Sequence, residues 1–245
     1  MIIQTDETID LETPTGTMRC HVFRPATEGK YSAVIFYSEI YQVTQPIRRL
    51  AAYIAGQGYI VLVPEVYHEY EPLGTVLAYD KEGTDRGNCL KFKKPVSAYD
   101  SDADAVIKWA RTYTYCNGKI GTMGVCLGGH LALRAALNPD VLAAACFYAT
   151  NVHDSTLGQG QSDDTIHRLD ELKGETMFVW GRQDPHVPFE GRIKIQQALQ
   201  AAGSTYEWHE FNAQHAFLRD EGPRYDSELF QICIGLVLRL FARRL

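Results

Sequence analysis

The sequence predicts an α/β fold in which a mostly parallel central sheet carries helices on both faces and an antiparallel hairpin at its N-terminal edge. Three observations support this. Strand-like apolar runs alternate with helical patterns through most of the 245 residues. The runs are continuous rather than alternating, as in strands buried on both sides. No linker, repeat or low-complexity tract breaks the series, so a single domain over 1–245 is expected.

Taken in order, TIDLETPTGTMRCHVFRP alternates about Pro14-Thr15-Gly16, the pattern of a hairpin. SAVIFYS (32–38) then reads as a buried parallel strand, IRRLAAYIAGQG as a helix and YIVLVP as a strand ended by Pro64. Residues 65–95 show no period, and a loop this long is expected to serve as a lid or pocket wall. VSAYDSDADAVIKWAR reads as a helix with acids at its start and basic residues at its end, which makes Asp100, Asp102 and Asp104 helix-start charges rather than metal ligands. KIGTM leads through GVCLGGH into LALRAAL, a strand turning sharply into a helix. VLAAACFYAT, ETMFVWG and TYEWHEF supply further strands, RIKIQQALQAAG a helix between the last two, and LFQICIGLVLRLFARRL a packed C-terminal helix.

Composition narrows the function. A formal charge of −6 without a basic block argues against a nucleic-acid interface. The acidic N-terminus lacks the pattern of a secretory signal, and Arg239 interrupts the longest apolar stretch, so neither export nor membrane insertion is expected. The six cysteines have no zinc-site spacing, and Cys20, Cys146 and Cys233 lie in apolar runs as small core residues. A cytoplasmic protein, monomer or homodimer, with no metal or organic cofactor, is the expectation.

The bend at GVCLGGH carries the chemistry. In α/β-hydrolases the equivalent Gly-x-Ser-x-Gly turn holds a nucleophilic serine, and here Cys126 stands between Gly124 and Gly128. The helix that follows offers unpaired amides and a positive dipole end, which favour a thiolate. GRQDPHVP places Asp184 just past one strand, and FNAQHAF places His215 just past the next. Nucleophile, acid and histidine thus follow the α/β-hydrolase order, with the carboxylate fixing the tautomer of the imidazole that moves the proton.

These blocks, NGKIG…GVCLGGH, GRQDPHVP, QHAF and YSEIYQ, resemble the dienelactone hydrolase family nearly from end to end. The resemblance implies an α/β-hydrolase fold with Cys126 as nucleophile, His215 as base and Asp184 as its orienting acid. It further implies that Glu39 takes the thiol proton when substrate binds, and that the amides of Ile40 and Leu127 form an oxyanion hole. Because a thioester is readily hydrolysed, the expected substrate is a small lactone or activated ester that passes through an acyl-thioenzyme. Family founders bind an anionic lactone through two arginines. Arg219 matches one, whereas Glu69, or His68 beside it, stands where the other is expected. A carboxylate there would repel an anionic substrate, so Arg86 is the candidate replacement; Tyr41, Tyr37 and Trp180 lie near strand ends as candidates for the pocket wall, with core packing the default reading of all three. Val125 occupies a place where relatives often carry an aromatic residue. His130 is expected to pack in the core and His186 to shape the acid loop. The alternative reading is a hydrolase-fold protein that binds a ligand in this pocket without turning it over.

Overall fold

The turn at Pro14 and Thr15 folds β1 (Ile3–Thr13) back on β2 (Gly16–Pro25), with Thr13 opposite Gly16. In the computed structural model, which describes all 245 residues, β2 then pairs antiparallel with β4 (Tyr59–Pro64). Every later pairing is parallel: β4 with β3 (Tyr31–Tyr37), β3 with β5 (Cys116–Val125), and on through β6 (Val141–Phe147), β7 (Glu175–Gly181) and β8 (Tyr206–Phe211). The result is one eight-stranded sheet ordered β1-β2-β4-β3-β5-β6-β7-β8. This is the architecture expected of the sequence.

The continuous apolar strands are covered on both faces. Along β3, Ala33 and Ile35 face one core while Val34 and Phe36 face the other. The first core is closed by α3 (Val96–Thr112), α4 (Leu127–Ala135) and α5 (Phe189–Ala201), through residues such as Val106, Leu131 and Ile195. The second is closed by α1 (Gln45–Ala55) and α6 (Ser227–Arg244), through Ile47, Leu50, Val237 and Phe241. Burying each such side chain contributes roughly 1.5–3 kcal/mol. All nine residues of α4 are buried, which makes the helix after the bend a rigid support. Cys20, Cys146 and Cys233 are wholly buried, and burial pushes the Cys233 thiol up to about 12. No helix is long and apolar enough to cross a membrane.

Two expectations need correction. Residues 65–95 are not irregular throughout, because Lys81–Lys93 form a helix, α2, capped by Asp80 through the Gly83 amide at 2.8 Å. Its polar sequence hides the period, and glycines replace the apolar face. A Cβ at Gly83 would lie 2.1 Å from the Ala78 carbonyl, and one at Gly87 2.5 Å from the Ile40 carbonyl. Close backbone contact, rather than a greasy stripe, seats this helix.

The second correction concerns the three aspartates. The helix α3 begins at Val96 and its first turn holds no acid. Asp100 instead pairs with Arg134, and Asp104 accepts from Asn138. Asp102 is buried against His68 and Lys94. These are links between elements, not charges on a helix end.

Candidate active site

Cys126 sits at the junction of β5 and α4 with φ 59° and ψ −122°, a conformation that non-glycine residues rarely adopt. The flanking glycines make it possible. A Cβ at Gly124 would lie 1.8 Å from the Gly128 carbonyl oxygen, and one at Gly128 would lie 2.1 Å from the Tyr37 oxygen at the end of β3. Both clashes are with backbone, so nothing can rotate away. Gly128→Ala is therefore expected to cost at least about 1–3 kcal/mol and to displace Cys126. Urea unfolding and thiol titration check this, and a variant with unchanged stability and reactivity would contradict the tight bend.

The loop after β7 carries Asp184 and the loop after β8 carries His215, so the two meet above the carboxyl ends of adjacent strands. The His215 Nδ1 lies 2.7 Å from Asp184 Oδ2, and Asp184 Oδ1 accepts the His186 amide at 2.8 Å. Nδ1 donates to the carboxylate, leaving Nε2 for a second partner. Burial works against a charged imidazole, but the neighbouring Cys126 sulfur and the Asp184 carboxylate outweigh it and push His215 up to about 10. The rings of Tyr148 and His186 pack edge-on against His215, at 5.0 and 4.6 Å between centroids. Burial, with help from charged His215, pushes His186 below its ordinary value.

Cys126, His215, Glu39, Ile40, Tyr41 and Arg219 line one cavity of about 300 Å³, a size suited to a small molecule. The Ile40 and Leu127 amides donate to no backbone or side-chain acceptor. Glu39 is only 3% exposed, and its Oε2 accepts from the Tyr79 hydroxyl at 3.1 Å and faces Arg219 at 3.6 Å. The carboxylate thus turns to Tyr79 and Arg219 rather than to the sulfur. The Arg219 guanidinium lies over the Tyr79 ring at 4.2 Å. Tyr41 donates to or accepts from Thr84 at 2.8 Å and packs edge-on against Tyr79.

Other expected site residues lie elsewhere. Arg86 is outside the cavity lining, with its Nε donating to Glu71 at 2.6 Å. Glu69 is also outside the cavity, paired with Lys94 at 2.7 Å, so it does not confront a substrate. His68, Glu69 and Asp102 bring potential metal-ligating atoms within 4.8 Å of one another, but the Lys94 ammonium already engages both carboxylates. His130 is buried and spans the Thr150 carbonyl and the Thr165 hydroxyl. Tyr37 and Trp180 belong to the core.

Several lining residues escaped the sequence reading: Asn88, Lys91, Asn151 and Arg224. Thr84, Asn88 and Lys91 recur at i, i+4 and i+7 on α2, a signal that becomes readable once that helix is recognised.

A cysteine bend after β5, an acid after β7 and a histidine after β8, on a sheet of this order, define an α/β-hydrolase. The sequence profile of the dienelactone hydrolase family matches residues 18–244. A Saccharomyces cerevisiae protein, provisionally named carboxymethylenebutenolidase, is 41% identical over 96% of this chain and 90% of its own length. The chain therefore belongs to the dienelactone hydrolase family, and it is a hydrolase of carboxylic esters or lactones. The carboxymethylenebutenolidase of Pseudomonas putida is 28% identical over 78% of this chain and 77% of its own. Among solved structures, a Klebsiella pneumoniae protein provisionally named dienelactone hydrolase superposes with a TM-score of 0.83 at 24% identity, covering 99% of both chains. A dienelactone hydrolase-like promiscuous phosphotriesterase from metagenomic libraries gives 0.79 at 15% identity, covering 100% of this chain and 99% of its own. These two likenesses speak to the fold.

Proposed function

We propose that the protein hydrolyses a small lactone or activated ester with Cys126 as nucleophile, through an acyl-thioenzyme. The observation that carries the reading is the His215 imidazole, held by Asp184 at 2.7 Å and lying beside a cysteine on a strained bend. An imidazole that stays charged up to about pH 10 is equipped to give a proton to a leaving oxygen.

In this scheme the sulfur attacks the carbonyl carbon and forms a C–S bond while the carbonyl π electrons move onto oxygen. The free amides of Ile40 and Leu127 donate to that oxygen. The tetrahedral species collapses, the C–O bond breaks, and the His215 imidazolium gives its proton to the leaving oxygen. In a lactone that oxygen stays tethered to the acyl group. The neutral imidazole then takes a proton from water, which attacks the thioester, and C–S cleavage releases the carboxylic acid and restores the sulfur. Glu39 is assigned the part of taking the thiol proton as the substrate binds and returning it once the sulfur is released. Its carboxylate rests on Tyr79 and Arg219, so its turn comes when a bound anion competes for Arg219.

A titration tests the pairing of sulfur and imidazole. The Cys126 sulfur raises the His215 value, so its removal must lower it, because burial then opposes charging with less compensation. Two-dimensional NMR of the imidazole is expected to show His215 titrating near pH 10 in the wild type and clearly lower in Cys126→Ala. An unchanged value in the variant would separate the two side chains and defeat the reading.

A further inference from the structure

Behind the bend lies a histidine that the reaction scheme does not use. His130 follows the two glycines at the start of α4 and is wholly buried. An imidazole in such a place needs a partner for each ring nitrogen, because an unpaired buried polar group is costly. Both partners are present, on opposite sides of the ring. Nδ1 lies 2.9 Å from the Thr150 carbonyl, which can only accept, so Nδ1 carries the proton and donates. Nε2 meets Thr165 Oγ1 at 2.8 Å and faces Asp163 Oδ1 at 3.5 Å.

The outer partners are anchored in their own right. The Asp163 side chain is shielded from solvent, and its carboxylate accepts the Leu157 amide at 2.9 Å and the Thr165 amide at 3.0 Å. Burial works against its charge, but His130, Thr165 and the Leu157 amide outweigh it and hold the carboxyl well below its ordinary range. Arg134 donates to Thr165 Oγ1 at 3.0 Å. The segment after β6 thus gives His130 a fixed post on its outer side.

On its inner side His130 reaches the bend through backbone. Thr150, whose carbonyl it holds, donates its own amide to the Cys126 carbonyl at 3.3 Å, beside the Gly129 amide at 3.0 Å. The Thr150 hydroxyl has no partner, so this residue is held through its peptide groups. Its neighbours Tyr148 and Asn151 sit at φ 35° and 65°. Non-glycine residues keep such angles only where their surroundings enforce them. Tyr148 packs edge-on against His215, and Asn151 lines the cavity. Residues 148–151 therefore touch the peptide of Cys126, the imidazole and the cavity wall, and His130 donates into the middle of them.

We propose that His130 is a positioning residue: through the Thr150 carbonyl it holds the 148–151 segment that sets Cys126 against His215. The inference rests on the reading of Cys126 as nucleophile and extends it to a residue outside the cavity. The Nε2 side of the ring serves stability, whereas the Nδ1 side serves the rate.

Two substitutions divide the sides. An asparagine amide nitrogen reaches the place of Nδ1, and a glutamine amide nitrogen reaches the place of Nε2. His130→Asn can still donate to Thr150, while His130→Gln can still donate to Thr165 or Asp163. His130→Gln is expected to lower kcat for a nitrophenyl ester on the order of 10–100-fold with KM changed less than about threefold, as a small displacement of reacting atoms can do. Its melting temperature should stay within about 3 °C of the wild type. His130→Asn should keep kcat within about threefold but melt roughly 3–10 °C lower, and Thr165→Val, which cuts only the outer side, should behave like it. The NMR titration of His215 should fall clearly below its wild-type value in His130→Gln and hold in His130→Asn, because that value depends on the nearness of the Cys126 sulfur. Equal losses of kcat in the two His130 variants, no loss in either, or losses that track melting temperature across all three variants would each overturn the proposal. Turnover with no acyl group on wild-type Cys126 would defeat the nucleophile reading alone, since the NMR comparison reads sulfur against imidazole without turnover.

Discussion

Cys126→Ala is expected to lower kcat for aryl acetate or lactone hydrolysis by roughly three to six orders of magnitude, the range found when a covalent nucleophile is removed while its oxyanion donors stay in place. The bend itself should survive, because alanine is smaller than cysteine and the close contacts belong to Gly124 and Gly128. Thermal stability is therefore expected to change little. Asp184→Asn should act differently. It keeps the sulfur but removes the carboxylate that receives Nδ1–H at 2.7 Å, so the imidazole loses its fixed tautomer. Its rate should fall while alkylation of Cys126 by iodoacetamide persists. Steady-state kinetics alongside alkylation and a melting curve separates these cases. Full activity in Cys126→Ala would reassign the nucleophile.

The largest expected effect on stability lies outside the cavity. Lys94 is wholly buried, donating to the Val66 carbonyl at 2.8 Å and to Asp102, and paired with the Glu69 carboxylate at 2.7 Å. It joins the segment after β4 to α3 at one point. Lys94→Met keeps the apolar stem but leaves Asp102 and Glu69 without their cation, and breaking a buried pair in this way costs about 3–5 kcal/mol. For a protein of this size the melting temperature should drop by roughly 6–20 °C. Urea unfolding and a melting curve at neutral pH check both points. A change below about 1 kcal/mol would mean that water reaches the site.

The parts of the fold legible in the sequence were those under strong local constraint. Strands such as SAVIFYS announce burial on both faces, and the sheet follows from their alternation with helices. GVCLGGH was legible because a backbone that brings Gly128 against the Tyr37 carbonyl admits no other residue. The helix α2 was not, since its packing uses Gly83 and Gly87 in place of an apolar stripe, and KEGTDRGNCLKFK then resembles a loop. That omission also concealed the cation of the cavity wall. Arg86, the arginine of that segment, is drawn to Glu71, whereas Lys91 reaches the cavity. The aspartates of α3 mimic helix-start charges until tertiary partners, Arg134 and Lys94, come into view. Charge pairing across elements is a property of the folded chain that no local pattern encodes.

The account turns on whether an acyl group passes through sulfur at position 126. Rapid-quench intact-mass spectrometry with a nitrophenyl ester, followed by peptide mapping, measures this directly. One acyl group per chain, confined to the peptide bearing Cys126, formed in a burst and lost on further incubation, is the predicted result. Turnover at the normal rate with no acylated Cys126 at any quench time, or with the acyl group on another residue, would contradict it.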